Sequence, residues 1–277
     1  MNKQKVWFLT GASRGFGRVW AQAALERGDK VAATARNLAD VADLTEQFGD
    51  AVLPLELDVT DAEQVKRAVT QAHQHFGRLD VVFNNAGYAL VGTVEEVSEA
   101  DVRAEFDTNF FGVLRVVQAA LPLLRAQGGG HIVTVSSSVG VVAMPLIGLY
   151  CASKGAVELL HDSLAQEVKE FGINVTLIEP GAYATEFGSP ASAKRSAGID
   201  AYAGLREQVM GRLTSEERGD PQATAGAILE LVDAENPPLR LALGSHVLPM
   251  VRATYADRLA TWEAWEEVAN AAQGEAK

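Results

Sequence analysis

The chain has 277 residues, with 24 Lys and Arg against 36 Asp and Glu, giving a formal net charge of −12. That balance excludes nucleic acid, because a phosphate backbone needs a basic stripe, and it excludes docking on an anionic membrane face. One cysteine, Cys151, leaves no internal disulfide, and no export core or apolar run of roughly 20 residues is present, so a soluble cytoplasmic protein is expected.

Apolar runs at residues 6–10, 30–35, 52–57 and 79–84 read as strands. The stretches 18–27, 38–48 and 62–76 between them read as amphipathic helices. The strands are continuously apolar, as in a parallel sheet covered on both faces. Residues 102–124 read as one long helix that Pro122 kinks or ends. Gly128, Gly129 and Gly130 break the chain before a strand at 132–136. A helix over 149–171 follows, with Gly172 as its C-terminal cap, and then a strand over 173–179. Residues 184–219 form a substrate flap, with one or two small helices expected over 189–213. Pro221 opens a helix to 234, a last strand lies at 240–243, and residues 247–272 end the chain as helix within a C-terminal extension, 246–277. This alternation implies one α/β domain, a Rossmann-type doubly wound parallel sheet flanked by helices.

The first strand runs into Thr10-Gly11-Ala12-Ser13-Arg14-Gly15-Phe16-Gly17. Glycine lets backbone N–H groups approach a pyrophosphate, and the following helix points its positive end at the same anion. The spacing departs from GxGxxG, so a glycine-rich turn with no ligand competes. The second strand ends Thr34-Ala35-Arg36, with no acid to grip a ribose diol. Arg14 and Arg36 could clamp a 2′-phosphate; two ordinary surface arginines are the competing account.

Thr10–Gly17, Asn84-Asn85-Ala86-Gly87, Asn109, Ser137, Tyr150-Cys151-Ala152-Ser153-Lys154 and Pro180-Gly181 stand in order along the chain. Together they resemble the TGxxxGxG, NNAG, Asn, Ser, YxxxK and PG elements of the classical short-chain dehydrogenase/reductase family. The resemblance is strong over residues 5–185 and looser over the final helices. It implies catalytic roles for Asn109, Ser137, Tyr150 and Lys154. It implies a cofactor pyrophosphate bordered by Gly11, Gly15 and Gly17, with Ser13, Arg14 and Phe16 in the same turn. Asp58 and Val59 would meet the adenine end, Asn85, Ala86 and Gly87 would line the cofactor, and Tyr150 and Lys154 would reach the nicotinamide ribose. Pro180, Gly181 and Thr185 would lie at the carboxamide. Arg36 beside Ala35 implies NADP(H) over NAD(H).

Read as residues, Tyr150 and Lys154 are four apart and share one helix face. A phenol titrates near 10 and exchanges protons poorly at neutral pH; a neighbouring ammonium lowers that value, toward the range where acid–base catalysis works best. Ser137 stands at a strand's carboxyl end, where open α/β sheets bind ligands, and its hydroxyl can donate to a carbonyl oxygen. Asn109 lies in a helix, where Asn is unfavourable; the family role is to hold a proton-relay water, and a satisfied core amide is the alternative. His73, His75, His131, His161 and His246 lack metal-ligand spacing, so no metal is expected. Cys151 faces away from its neighbour Tyr150 and reads as a packing residue. Leu259, Trp262 and Trp265 read as one face of a terminal helix, hence core or subunit contact.

These readings converge on an NADP(H)-dependent oxidoreductase passing hydride between nicotinamide and a hydrophobic ketone or secondary alcohol. A 3-oxoacyl-carrier-protein-type reductase and a non-catalytic NADP(H)-binding regulatory protein are the alternatives. A homodimer or homotetramer through the helices at 102–124 and 149–171 is expected by resemblance, with Phe106, Phe110, Phe111, Val113, Leu114, Val116 and Val117 supplying apolar surface.

Overall fold

Val-Trp-Phe-Leu has no charged side chain, and as β1 (Val6–Leu9) it is buried along its whole length, with the Trp7 indole N–H donating to Asp29 Oδ2 at 2.8 Å. It pairs in parallel on both sides, Trp7 opposite Val31 and Val81. A strand flanked in this way leaves no face for water, which is why its sequence does not alternate. The computed structural model describes residues 4–187, 189, 192–215 and 217–274.

The other strands are β2 (Lys30–Ala35), β3 (Val52–Glu56), β4 (Val81–Asn84), β5 (Ala89–Val91), β6 (Gly130–Val135), β7 (Ile173–Pro180), β8 (Ala193–Arg195) and β9 (Arg240–Leu243). Seven of them form one parallel sheet in the order β3-β2-β1-β4-β6-β7-β9. The order reverses between β1 and β4, and a crevice opens there beyond the carboxyl ends of the strands. The helices are α1 (Gly15–Glu26), α2 (Ala42–Phe48), α3 (Ala62–Phe76), α4 (Glu99–Phe106), α5 (Val113–Gln127), α6 (Gly148–Val168), α7 (Ala203–Ser215), α8 (Thr224–Asp233), α9 (Val247–Ala264) and α10 (Glu266–Gln273). Trp20, Leu44, Ile228 and Leu231 of α1, α2 and α8 pack with one sheet face. Val65, Val69, Val116, Leu124 and Leu164 of α3, α5 and α6 pack with the other. The Rossmann-type doubly wound sheet is therefore observed.

Several boundaries differ from those expected. α1 begins at Gly15, inside the glycine turn. The expected helix over 102–124 is α4 and α5 joined by a π-helical segment, Asp107–Gly112. Pro122 does not end α5, which runs to Gln127. Val113, Val116, Val117, Ala120 and Leu124 bury against the sheet, offsetting the backbone hydrogen bond that proline removes. Of the segment expected as a flap, residues 188, 190, 191 and 216 lie outside the described residues, and the rest is more regular than its polar sequence implied. β8 pairs in parallel with β5, Leu90 opposite Lys194, and the ends of α7 and β8 are held by ion pairs of Arg206 with Glu96 and Lys194 with Asp101. Gly172 caps the turn after α6 in the left-handed conformation, as expected. The terminal helix is interrupted at Trp265. Leu259, Trp262 and Trp265 are exposed, so of the two expected roles, core or subunit contact, the core one is corrected: among the described residues no element passes over that face. Among the described residues no helix is long and apolar enough to cross a membrane.

Candidate active site

The glycine turn leaves β1 at the crevice. Ala12 N–H donates to Thr34 O at 2.8 Å, and Gly11 and Gly15 adopt φ of 72° and 55°, a region closed to most side chains. A Cβ on Gly17 would collide with the Gly11 carbonyl oxygen and Asn85 Nδ2. Arg14, the N-cap of α1, offers no side-chain acceptor to the first turn, so those N–H groups face the crevice. Asn85 does not simply line it. Its Nδ2 donates to Thr10 O and Gly11 O, both at 3.0 Å, and with Ala86 its backbone N–H donates to Thr10 Oγ1. Ser13 and Phe16 lie in the turn, and the Phe16 ring stacks on Trp20 at 4.8 Å and meets Tyr183 edge-on at 5.2 Å.

Arg36 is exposed beyond β2, and Arg14 Nε lies 3.8 Å from Glu186 Oε2. Asp58 Oδ1 accepts from Thr60 N at 2.9 Å and Thr60 Oγ1 at 2.7 Å. Val59 packs close to Gly112, where a Cβ would sit 2.7 Å from Val59 Cγ2. Pro180 ends β7, Gly181 N–H donates to Leu243 O at 2.9 Å, and a Cβ built on Gly15 would lie 3.9 Å from Thr185 Cβ. Glycine at 11, 15 and 17 keeps the turn open to a backbone-bound anion, which fits the pyrophosphate of a dinucleotide.

Ser137, Tyr150, Lys154 and Asn109 meet where β6, α6 and the π-helical segment converge. Tyr150 and Lys154 are nearly fully buried, at 5% and 4% exposure. Lys154 Nζ donates to Val135 O at 2.8 Å and lies 5.9 Å from the Tyr150 ring centroid. Burial pushes the Tyr150 phenol above its ordinary range, opposed by a hydrogen bond with Ser137, so the lowering expected from the neighbouring ammonium is corrected: desolvation outweighs it. Burial lowers Lys154 to about 8, opposed by the Glu105 and Glu158 carboxylates. Asn109 Oδ1 accepts from Tyr88 N at 3.1 Å, and Nδ2 donates to Tyr88 O at 3.0 Å and Ser153 Oγ at 3.2 Å. Ser153 Oγ in turn donates to Tyr150 O at 2.8 Å. A Cβ on Gly87 would approach Asn109 Oδ1 to 3.1 Å and Lys154 Nζ to 3.7 Å, so a side chain there would crowd the Asn109 amide.

Sequence reasoning missed some neighbours. Glu105 is fully buried one turn before Asn109, where its Oε1 accepts from Leu90 N at 3.1 Å; the i, i+4 spacing to Asn109 was its only sequence signal. Phe187 of the flap approaches the Tyr150 ring to 5.6 Å. Ala89, Val139, Cys151 and Ala193 pack with Tyr150 in an apolar shell, joined by Val91, Met144 and Ile147. Cys151 is a buried packing residue, as expected. Among the described residues no cluster of metal ligands occurs.

A family profile described as short chain dehydrogenase matches residues 5–196. Oxidoreductase BOA17 of Botryotinia fuckeliana is 39% identical over 267 residues, covering 95% of this chain and 97% of that protein. The 3-ketodihydrosphingosine reductase of Bacteroides thetaiotaomicron is 36% identical over 255 residues, covering 91% of each. A short-chain dehydrogenase of Streptomyces avermitilis superposes with a TM-score of 0.91 at 37% identity, covering 98% of this chain and 99% of that one. A Burkholderia phymatum short chain dehydrogenase/reductase solved with NAD has a TM-score of 0.81, 25% identity and coverage of 94% and 95%. A Burkholderia cenocepacia short chain dehydrogenase solved with NADP has 0.75, 27%, 95% and 97%.

Proposed function

Because this chain belongs to the short chain dehydrogenase family of oxidoreductases, we propose that it reduces a ketone on an apolar substrate to a secondary alcohol with NADP(H), Tyr150 serving as general acid/base. The observation that carries the reading is the buried Lys154 ammonium one helical turn from Tyr150, with Ser137 hydrogen-bonded to the phenol. The nicotinamide supplies hydride when bound. Ser137 Oγ donates to the substrate oxygen and holds it against the phenol. Tyr150 gives that oxygen its proton, which suits a buried phenol that keeps its proton until then. Lys154 stabilises the phenolate left behind. Asn109 braces Tyr88 and Ser153 with both ends of its amide, and the second lone pair of Oδ1 is free in valence for the relay water. Gly11, Gly15, Gly17 and the first turn of α1 hold the pyrophosphate.

The apolar shell around Tyr150 and the Phe187 ring support an apolar ketone, and the Bacteroides relative is named as a ketone reductase. Ala35 and the Arg14 and Arg36 guanidinium groups support NADP(H). The exposed Phe111 and Leu159 on the α5 and α6 side support a homodimer or homotetramer formed there, and a cytoplasmic location accords with the acidic, single-cysteine composition.

The test is NADPH consumption across a ketone panel. Tyr150→Phe is expected to lose at least 100-fold in kcat, on the order of what a positioned acid contributes; turnover that survives it removes the assignment. The wild type is expected to show a KM for NADPH below that for NADH, and Arg36→Asp to reverse the order. Equal preference in the wild type overturns the arginine clamp.

A further inference from the structure

Beyond Val247 the chain makes little contact with its own body. Val251 and Thr254 are half-buried, and Arg258 Nη2 donates to Val141 O at 2.9 Å. Every residue from 255 to 274 is exposed, yet α9 and α10 stay helical to Gln273. From Tyr255 to Ala264 the outer part of α9 thus forms an arm about 15 Å long at the helical rise, and α10 follows the break at Trp265. Isolated helices this short are marginal in water without packing on an apolar face.

The arm carries such a face. Leu248, Tyr255, Leu259 and Trp262 fall within roughly 60° of arc at 3.6 residues per turn, and Trp262 is 64% exposed. The body-facing line of Val247, Val251, Thr254 and Arg258 lies about 80° away, so the stripe points past this chain. Its charges are asymmetric along the axis. Arg252 stands near the root, and Glu263, Glu266 and Glu267 stand toward the tip.

We propose that the arm pairs antiparallel with the same arm of a second copy of this chain. A twofold axis near Leu259 sets Tyr255 against Trp262 of the partner subunit and Arg252 against Glu266 of the partner subunit. Rotation about an axis perpendicular to both helices brings each flank against its own copy, so root cations meet tip carboxylates twice per pair. The stripe is self-complementary, as a closed twofold interface requires. Two aromatic side chains per arm, Tyr255 and Trp262, each able to bury about 150–250 Å², with Leu248 and Leu259 beside them, bring the pair toward the order of 1,000 Å², the lower range of specific interfaces. This face is separate from the α5 and α6 side.

The test uses the full-length chain. Cys151 is the sole cysteine and is buried, so Leu259→Cys under mild oxidation is expected to run as a disulfide-linked dimer, while Val94→Cys on the exposed body surface stays single. By sedimentation, Arg252→Glu is expected to raise the arm-to-arm dissociation constant about tenfold, and adding Glu266→Arg is expected to restore it. All these positions are exposed, and circular dichroism checks that each variant folds. Absence of the 259 disulfide, or sedimentation unmoved by Leu259→Asp with Trp262→Asp, overturns the proposal. So does an association that only Leu159→Asp disrupts.

Discussion

Glu105 has no exposed surface, and burial raises its carboxyl to about 7. Glu179 is likewise raised to about 7, by burial and by the Glu158 carboxylate. His131 and His161 are buried and held down to about 4, with Thr176 and Thr134 hydroxyls as partners at 2.9 and 2.8 Å. The signs are opposite. The native histidines bind fewer protons than the unfolded chain between about 4 and their ordinary value near 6.5, so their contribution rises with pH across that window and is lost on acidification. The native carboxyls bind more protons than the unfolded chain from about 4.3 up to 7, so their contribution falls as pH rises through that window. Stability is therefore expected to decline between about pH 6.5 and 8, where the histidine contribution has levelled off. Glu105→Gln keeps the acceptor for Leu90 N–H and removes part of that decline. Its Tm should exceed the wild type near pH 8 and converge with it near pH 4, as read by thermal melts across pH.

At the scale of elements, the glycine turn and the π-helical segment do the positioning. Gly17 has no room for a methyl group, because the obstructing atoms are the Gly11 carbonyl and the Asn85 amide that holds the turn. Gly17→Ala is expected to lower stability by about 1–3 kcal/mol and to weaken NADPH at least tenfold by shifting the N–H groups, measurable by denaturation and fluorescence titration. The turn was legible because glycine at those spacings has few other uses. The π-helical segment was not. Asn109 stood out as a poor helix former, but the wide turn that points it at Tyr88 depends on packing from α6 and the loop after β4. The three-residue strands β5 and β8 were invisible for a similar reason: their pairing lies between segments about a hundred positions apart, and neither run is long enough to show a period.

At the scale of the molecule, surface apolar groups and net charge decide behaviour. Leu159 is 72% exposed on α6 and Phe111 is 46% exposed before α5, while Val113, Val116 and Val117 face the sheet. The expected division of that helix between core and outer surface is thus visible. Leu159→Asp should leave the fold intact and remove one association step, seen as a smaller species by sedimentation with an unchanged melting profile. The charge of −12 describes the surface as a whole. Local groups depart from it, with Arg14 and the uncapped turn of α1 at the end of β1, Arg36 beyond β2, and Lys154 buried on α6 across the sheet.

The sequence by itself determined the sheet and its parallel sense, because burial on two faces constrains residue type locally, while the set of residues around Tyr150 followed from the resemblance of its ordered motifs. Tertiary structure alone decided where Glu105 and Phe187 lie, how the flap closes on β5, and that Leu259, Trp262 and Trp265 face outward. Those outcomes depend on which distant segment packs against each residue, and hydrophobicity along a chain records that a face must be covered without recording by what.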